Sequence, residues 1–149
     1  MGMGDRPGAV LFACGQNVIR SPIAAALAKS MFRATLYVES AGVKAGDADP
    51  FVEAVMEETG IDMAGHNPKT FDQLEDDFFD LIITLSPEAH HRALEMTRTM
   101  AVEVEYWPTM DPTLVRGSRT QIMDAYRQVR DGLLERIQKR FAGPGSPSG

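Results

Sequence analysis

The stretch Ala9–Ala26, AVLFACGQNVIRSPIAAA, decides how the rest of the chain is read. An apolar run, Ala9–Ala13, leads into a short polar loop, and Arg20-Ser21-Pro22 then opens an alanine-rich segment. A short, continuously apolar run is what a strand covered on both faces requires. Ser21 is placed to N-cap a helix, and Pro22 to take its first position, where a missing N–H does no harm. That helix is expected to reach about Phe32, with Ile23, Leu27 and Met31 on one stripe.

The chain's one cysteine, Cys14, and Arg20 bracket five residues in the pattern Cys-x5-Arg-Ser. A loop of that length can curl so that the N–H groups of Gly15, Gln16, Asn17, Val18 and Ile19 face a concavity suited to an anion. The helix behind it adds the positive end of its dipole. Arg20 supplies a planar fork for two oxygens of a tetrahedral oxyanion. At the floor of such a loop the positive field favours the thiolate form of Cys14, and a thiolate beneath a bound phosphate is a nucleophile aimed at phosphorus. A lone cysteine is more often a packing residue. Here the strand before it, the helix after it and the Arg-Ser-Pro junction together favour the oxyanion loop.

Outward from this stretch, strand and helix patterns alternate. Leu36–Ala41 reads as a second strand, followed by a small polar loop, Val43–Ala48. Asp49 caps a helix through Glu58, which Gly60 stops. Ile61–Lys69 is irregular, and Thr70–Asp76 reads as a short helix with an acidic end. Phe79–Leu85 is a third buried strand, and Ser86-Pro87-Glu88 opens a helix to about Thr97. Val102–Trp107 alternates as a fourth strand, and Arg119–Phe141 is a long amphipathic helix carrying Ile122, Tyr126, Val129, Leu133 and Ile137. The expected organisation is a flexible leader at 1–8, a single domain at 9–141 and a disordered tail at 142–149.

This alternation implies a parallel sheet covered on both faces, in which ligands bind beyond the carboxyl ends of the strands. Cys14, Ser40, Ser86 and Asp111 all fall at or just past strand ends, so all four can face one crevice. Taken alone, Asp111-Pro112 reads as a turn, because Asp before Pro is common there. His66 reads as a loop histidine, and His90 and His91 as residues of a solvated helix face. Glu75–Asp80 reads as an acidic helix end rather than a metal site.

The totals set limits. The 149 residues suffice for one domain with a core, and 44% hydrophobic with 24% charged content is ordinary for a globular chain. No apolar run reaches the length of a membrane span. A single cysteine excludes internal disulfides and multi-cysteine metal sites and fits a reducing, cytoplasmic setting. The net charge of -6 argues against broad nucleic-acid binding. No metal or other cofactor is expected.

Cys14-x5-Arg20-Ser21-Pro22 after VLFA resembles the low-molecular-weight protein tyrosine phosphatases and the related thioredoxin-coupled arsenate reductases. Val38–Gly42, Gly60-Ile61-Asp62 with His66, Phe79–Ile83 and Asp111-Pro112 resemble further family segments, so the likeness runs nearly the whole chain. The resemblance implies a three-layer α/β sandwich with a four-stranded parallel sheet in the order 2-1-3-4. It implies that Cys14 attacks phosphorus to form a thiophosphoryl intermediate, that Arg20 and the loop from Gly15 to Ser21 hold the equatorial oxygens, and that Asp111 exchanges the proton with the leaving group and the attacking water. It further implies that Ser21 hydrogen-bonds the sulfur and that Asn17, Ser40 and His66 brace the loop. Expected ligands are a phosphorylated protein or small phosphomonoester, with inorganic phosphate, sulfate or arsenate in the loop.

Several positions depart from the family pattern. Gln16 stands where the phosphatase loop usually has glycine, which would strain the loop if that position needs positive φ. Ile19 replaces a second loop cysteine. The aromatic residues that often flank the ring of phosphotyrosine are missing from Val43–Asp49, and Thr113-Leu114 replaces a tyrosine pair. Trp107 and Ala125–Asp131 are nearer to the arsenate-reductase branch, yet the two further cysteines of that branch correspond to Ser86 and Ala93. Three readings therefore remain: a cysteine-dependent phosphomonoesterase acting on phosphotyrosine proteins or aryl phosphates, an arsenate reductase using an external thiol, and a non-enzymatic oxyanion- or phosphoprotein-binding domain.

Overall fold

The computed structural model describes residues 8–75 and 78–142. The leader at 1–7, the tail at 143–149 and Asp76 of the expected acidic helix lie outside them. The four strands are β1 (Ala9–Cys14), β2 (Tyr37–Gly42), β3 (Leu81–Thr84) and β4 (Glu103–Tyr106). They form one parallel sheet in the order β2-β1-β3-β4. The four helices are α1 (Arg20–Phe32), α2 (Pro50–Glu57), α3 (Pro87–Met96) and α4 (Arg119–Phe141).

Position in the sheet explains strand composition. The inner strands AVLFAC and LIIT are apolar apart from Thr84 at the end of β3 and are almost wholly buried, as strands covered on both faces must be. The edge strands carry the polar residues, with Tyr37 exposed on β2 and Glu103 exposed on β4. Alternate β1 side chains serve opposite cores. Val10, Phe12 and Cys14 join residues of α1, α2 and α4 on one face. Leu11 and Ala13 join Ala89 and Ala93 of α3 and Phe71 on the other. This is a three-layer α/β sandwich.

Register brings the carboxyl ends together. Cys14 pairs with Gly42, and Ala13 with Thr84, which in turn pairs with Tyr106. The segments following all four strands therefore emerge at one end of the sheet.

Helix ends follow local chemistry. Asp49 accepts from Phe51 N–H at 2.9 Å to cap α2. Gly60, at φ 79°, lets its own N–H and that of Ile61 close back on Glu57 and Met56, which is a Schellman stop. Ser86 caps α3 through Ala89 N–H, and Ser118 with Gln121 forms a capping box for α4. The phenol of Tyr126 on α4 donates to Asp49 at 2.6 Å. Burial foremost, with the Asp49 carboxylate beside it, pushes that phenol's titration upward. Arg127 and Arg130 of α4 both bind Glu58 at the end of α2, and Arg130, nearly buried, also donates to the Val55 carbonyl at 2.7 Å.

Several expectations need correction. Helix α1 starts at Arg20, one residue before the expected cap, and Ser21 caps nothing because its hydroxyl is engaged elsewhere. Pro22 still falls within the first turn, where no intrahelical acceptor waits for its nitrogen. The described part of Thr70–Asp76 holds a 3₁₀ turn, Phe71–Gln73, closed by a Thr70/Gln73 capping box, rather than the expected helix. Gly8, assigned to the leader, is tied to the sheet: it donates to Asp80 and accepts from Tyr37 N–H, each at 2.8 Å. Ala142, assigned to the tail, donates to Gln138 and ends α4. His90 is not on a solvated face. Its ring stacks on Tyr106 at 4.6 Å and its Nδ1 lies 2.9 Å from Thr84 Oγ1. Thr84 Oγ1 also lies within hydrogen-bond reach of the Glu105 carbonyl, at 3.2 Å.

Candidate active site

The loop between β1 and α1 is held from outside. Val43 N–H binds the Cys14 carbonyl, Lys44 N–H the Gly15 carbonyl and Gly46 N–H the Gln16 carbonyl, at 3.2, 2.9 and 3.0 Å. His66 Nε2 lies 2.9 Å from the Asn17 carbonyl, which can only accept, so the ring is protonated on Nε2. Ile23 N–H takes the Ile19 carbonyl at 3.1 Å. Among the described residues, none accepts from the N–H groups of Gly15, Gln16, Asn17, Val18, Ile19 or Arg20. With its carbonyls tied away and its amides uncommitted, the loop has the polarity of an anion cradle.

Asn17 is the keystone of this arrangement. It is fully buried and is the only non-glycine described residue with positive φ, at 58°, a conformation asparagine tolerates better than most. Its Nδ2 donates to Ser21 Oγ and to Ser40 Oγ, each at 2.9 Å, and its Oδ1 accepts from Lys69 N–H at 3.0 Å. Gln16 does not adopt positive φ, so the strain expected there is absent. Gly42 makes room beneath: a Cβ on it would lie 2.6 Å from Asn17 N and 2.5 Å from the Lys44 carbonyl oxygen.

Cys14, 2% exposed, sits at the end of β1. Its sulfur lies 3.0 Å from Ser21 Oγ and 3.4 Å from Ser21 N–H. Ser21 Oγ accepts from Asn17, and its own proton can go to the sulfur or to the Ala41 carbonyl at 3.4 Å. An ionised sulfur wins that competition, because a hydrogen bond to an anion is the stronger one.

Arg20 bridges to the segment after β4. Its Nη1 donates to the Thr109 carbonyl at 2.9 Å, leaving the remaining guanidinium donors for a ligand. Two residues on, Asp111 caps a 3₁₀ turn, Pro112–Leu114. Its Oδ1 accepts from the Thr113 N–H and hydroxyl at 2.9 and 2.6 Å. The turn reading and the crevice reading of Asp111 thus hold together, for Asp111 also lines the cleft. That cleft, about 420 Å³, is bounded by Cys14, Gly15, Gln16, Val18, Ile19, Arg20, Val43, Lys44, Glu88, Asp111 and Thr113.

Asn17, Ser21, Ser40 and His66 therefore lie around the loop as one hydrogen-bonded group, while Cys14, Arg20 and Asp111 face the cleft. Lys44 and Thr113 belong to the two segments that the sequence placed beside the ligand for their lack of aromatic residues, whereas Glu88 in the wall and Thr109 as the partner of Arg20 were missed. Glu88 had a signal, since it follows the Ser86 that was assigned to the crevice. Ser86 itself is buried and used as the α3 cap, and Ala93 is fully buried. Among the described residues no cluster of His, Cys, Asp and Glu could hold a metal ion, and no described helix is long and apolar enough to cross a membrane.

The chain is similar to known proteins along nearly its whole length. An arsenate reductase of Bacillus licheniformis is 34% identical over 139 residues, covering 91% of this chain and 96% of that protein. A glutaredoxin arsenate reductase of Synechocystis is 29% identical over 133 residues, covering 89% and 95%. Among solved structures, the YwlE arginine phosphatase from Geobacillus stearothermophilus superposes with a TM-score of 0.74 at 25% identity, covering 91% of each chain. An arsenate reductase in the phosphate binding state gives 0.71 at 27% identity, covering 91% and 97%. The sequence profile described as "Low molecular weight phosphotyrosine protein phosphatase" matches residues 9–142. With nearly the full chain matched, this protein belongs to the low-molecular-weight phosphotyrosine protein phosphatase family.

Proposed function

We propose that the protein is a cysteine-dependent phosphomonoester hydrolase acting on phosphotyrosine proteins or small aryl phosphates through a thiophosphoryl-enzyme intermediate. The observation that carries this reading is the Cys14 sulfur, approached by the Ser21 hydroxyl and N–H, at the edge of a loop whose amides are uncommitted. In the first step Cys14 forms the S–P bond as the P–O bond to the leaving group breaks. The loop amides and Arg20 hold the equatorial oxygens as charge builds on them. Asp111 protonates the leaving oxygen and then accepts a proton from the water that cleaves the S–P bond. Ser21 stabilises the sulfur as it departs. A thiolate nucleophile calls for reducing surroundings, so the proposed place of action is the cytoplasm.

The test is hydrolysis of an aryl phosphate by the purified protein. Cys14→Ser is expected to abolish turnover while still binding inorganic phosphate by calorimetry. Hydrolysis by Cys14→Ser at the wild-type rate overturns the mechanism.

A second reading, arsenate reduction, is favoured by the curated relatives named above. With one cysteine in the sequence, no internal thiol relay can run, so a thiol such as glutathione or thioredoxin must supply the electrons. Arsenate-dependent oxidation of either thiol, absent in Cys14→Ser, supports that reading.

A further inference from the structure

Glu88 is a carboxylate in the wall of a cleft built for anions. It lies in the first turn of α3, and its outer side-chain atoms run along Gly15. A Cβ on Gly15 would stand 3.6 Å from Glu88 Oε1 and 3.8 Å from its Cδ. Among the described residues its carboxylate has neither an ion-pair nor a hydrogen-bond partner. The other carboxylate in the cleft, Asp111, is held by Thr113. No aromatic side chain lines the cleft, so a ring beyond the phosphoryl group finds little to stack on. Glu88 also borders a shallow groove along α3, which Pro87, His91, Arg92 and Glu95 line with it.

A carboxylate here repels a bare phosphate dianion. The repulsion reverses for a ligand that brings a cation within reach of Glu88 while its phosphoryl group occupies the loop. We propose that Glu88 makes this site select phosphorylated peptide segments carrying an arginine or lysine next to the phosphorylated residue. This deepens the phosphatase reading and rests on it for turnover, though not for binding. Lys44 lines the same cleft and makes no ion pair with Glu88. A glutamate in the first turn also complements the α3 dipole, and that role is indifferent to substrate charge.

The test compares three phosphotyrosine peptides that differ only in the flanking residue: arginine, alanine or glutamate. The readout is the ratio of kcat/KM values for the arginine and glutamate peptides. Wild type is expected to favour arginine by about fivefold or more at low salt, with the preference shrinking as ionic strength rises. Glu88→Gln, which keeps the shape of the side chain, should bring the ratio to unity, and Glu88→Lys should invert it. The same three peptides binding to Cys14→Ser, with and without Glu88→Gln, give the ratio independently of turnover. A wild-type ratio of unity, or a ratio that persists in Glu88→Gln, overturns the proposal. Hydrolysis of every peptide without charge preference sinks this inference alone. A charge preference in binding with no hydrolysis sinks the phosphatase reading and leaves Glu88 as the selector. Failure of every peptide to bind removes both.

Discussion

Asn17 uses all the hydrogen-bonding atoms of its side chain inside the protein, and its backbone sits where few residues go. Asn17→Ala loses the bonds to Ser21, Ser40 and Lys69 and places a Cβ-bearing residue at φ 58°. The expected loss of stability in urea unfolding is about 2–4 kcal/mol. Asn17→Gly removes only the conformational part of that cost, so it should fall between wild type and Asn17→Ala. Asp111 is tested by leaving group: Asp111→Asn should slow hydrolysis of alkyl phosphates by about 10²–10⁴-fold and that of p-nitrophenyl phosphate far less. An equal loss across leaving groups would remove the proton-transfer role. At this scale the sequence revealed residue types but not their partners. Cys14-x5-Arg20 pointed to an anion loop because spacing alone limits how such a loop can close. Ser21 looked like a helix cap because it precedes proline, whereas its hydroxyl meets the Cys14 sulfur. Gln16 looked like the strained position, whereas the positive φ falls one residue later. His90 looked solvated because its partners, Thr84 and Tyr106, come from other elements.

Among the elements, α2 and α4 are joined by charge at Glu58. The hydrogen bond from Arg127, then that from Arg130, holds its carboxyl down at about 2, against an ordinary 4.5. A carboxyl depressed on folding stabilises the fold above its unfolded value and loses that effect as pH falls through the folded one. The gap in melting temperature between wild type and Glu58→Gln should therefore be full above pH 4.5 and close as pH drops towards 2. A gap that stays constant over that window would show that Glu58 acts without its charge. Helix α4 was legible to the residue because a long 3.6-residue period is hard to mistake. Arg130 was not, since a nearly buried arginine is explained only by Val55 and Glu58 on a distant helix. The 3₁₀ turn at Phe71–Gln73 was overread as a helix because three residues carry too little period to separate the two.

For the whole molecule, strand order matters more than any one contact. Parallel strands in the order β2-β1-β3-β4 deliver the Cys14 loop, the Gly42–Gly46 segment, the α3 start and the Asp111 turn to one end. Alternating strands and helices already implied that layout, while the strand order came from family resemblance. Because only the folded chain assembles the loop, phosphate should stabilise it: at about 100-fold over the dissociation constant the gain is about 2.7 kcal/mol. Differential scanning calorimetry should show a melting temperature that climbs with phosphate in wild type and hardly moves in Arg20→Ala. The tethered carbonyls of the Cys14 loop have one more consequence. A socket fastened in advance grips a phosphate monoester and free phosphate alike, since both present the same oxygens to the same amides; on the phosphatase reading the free ion is also the product. Spent phosphate must therefore compete with incoming substrate, so KM should climb in proportion to added phosphate while kcat stays fixed.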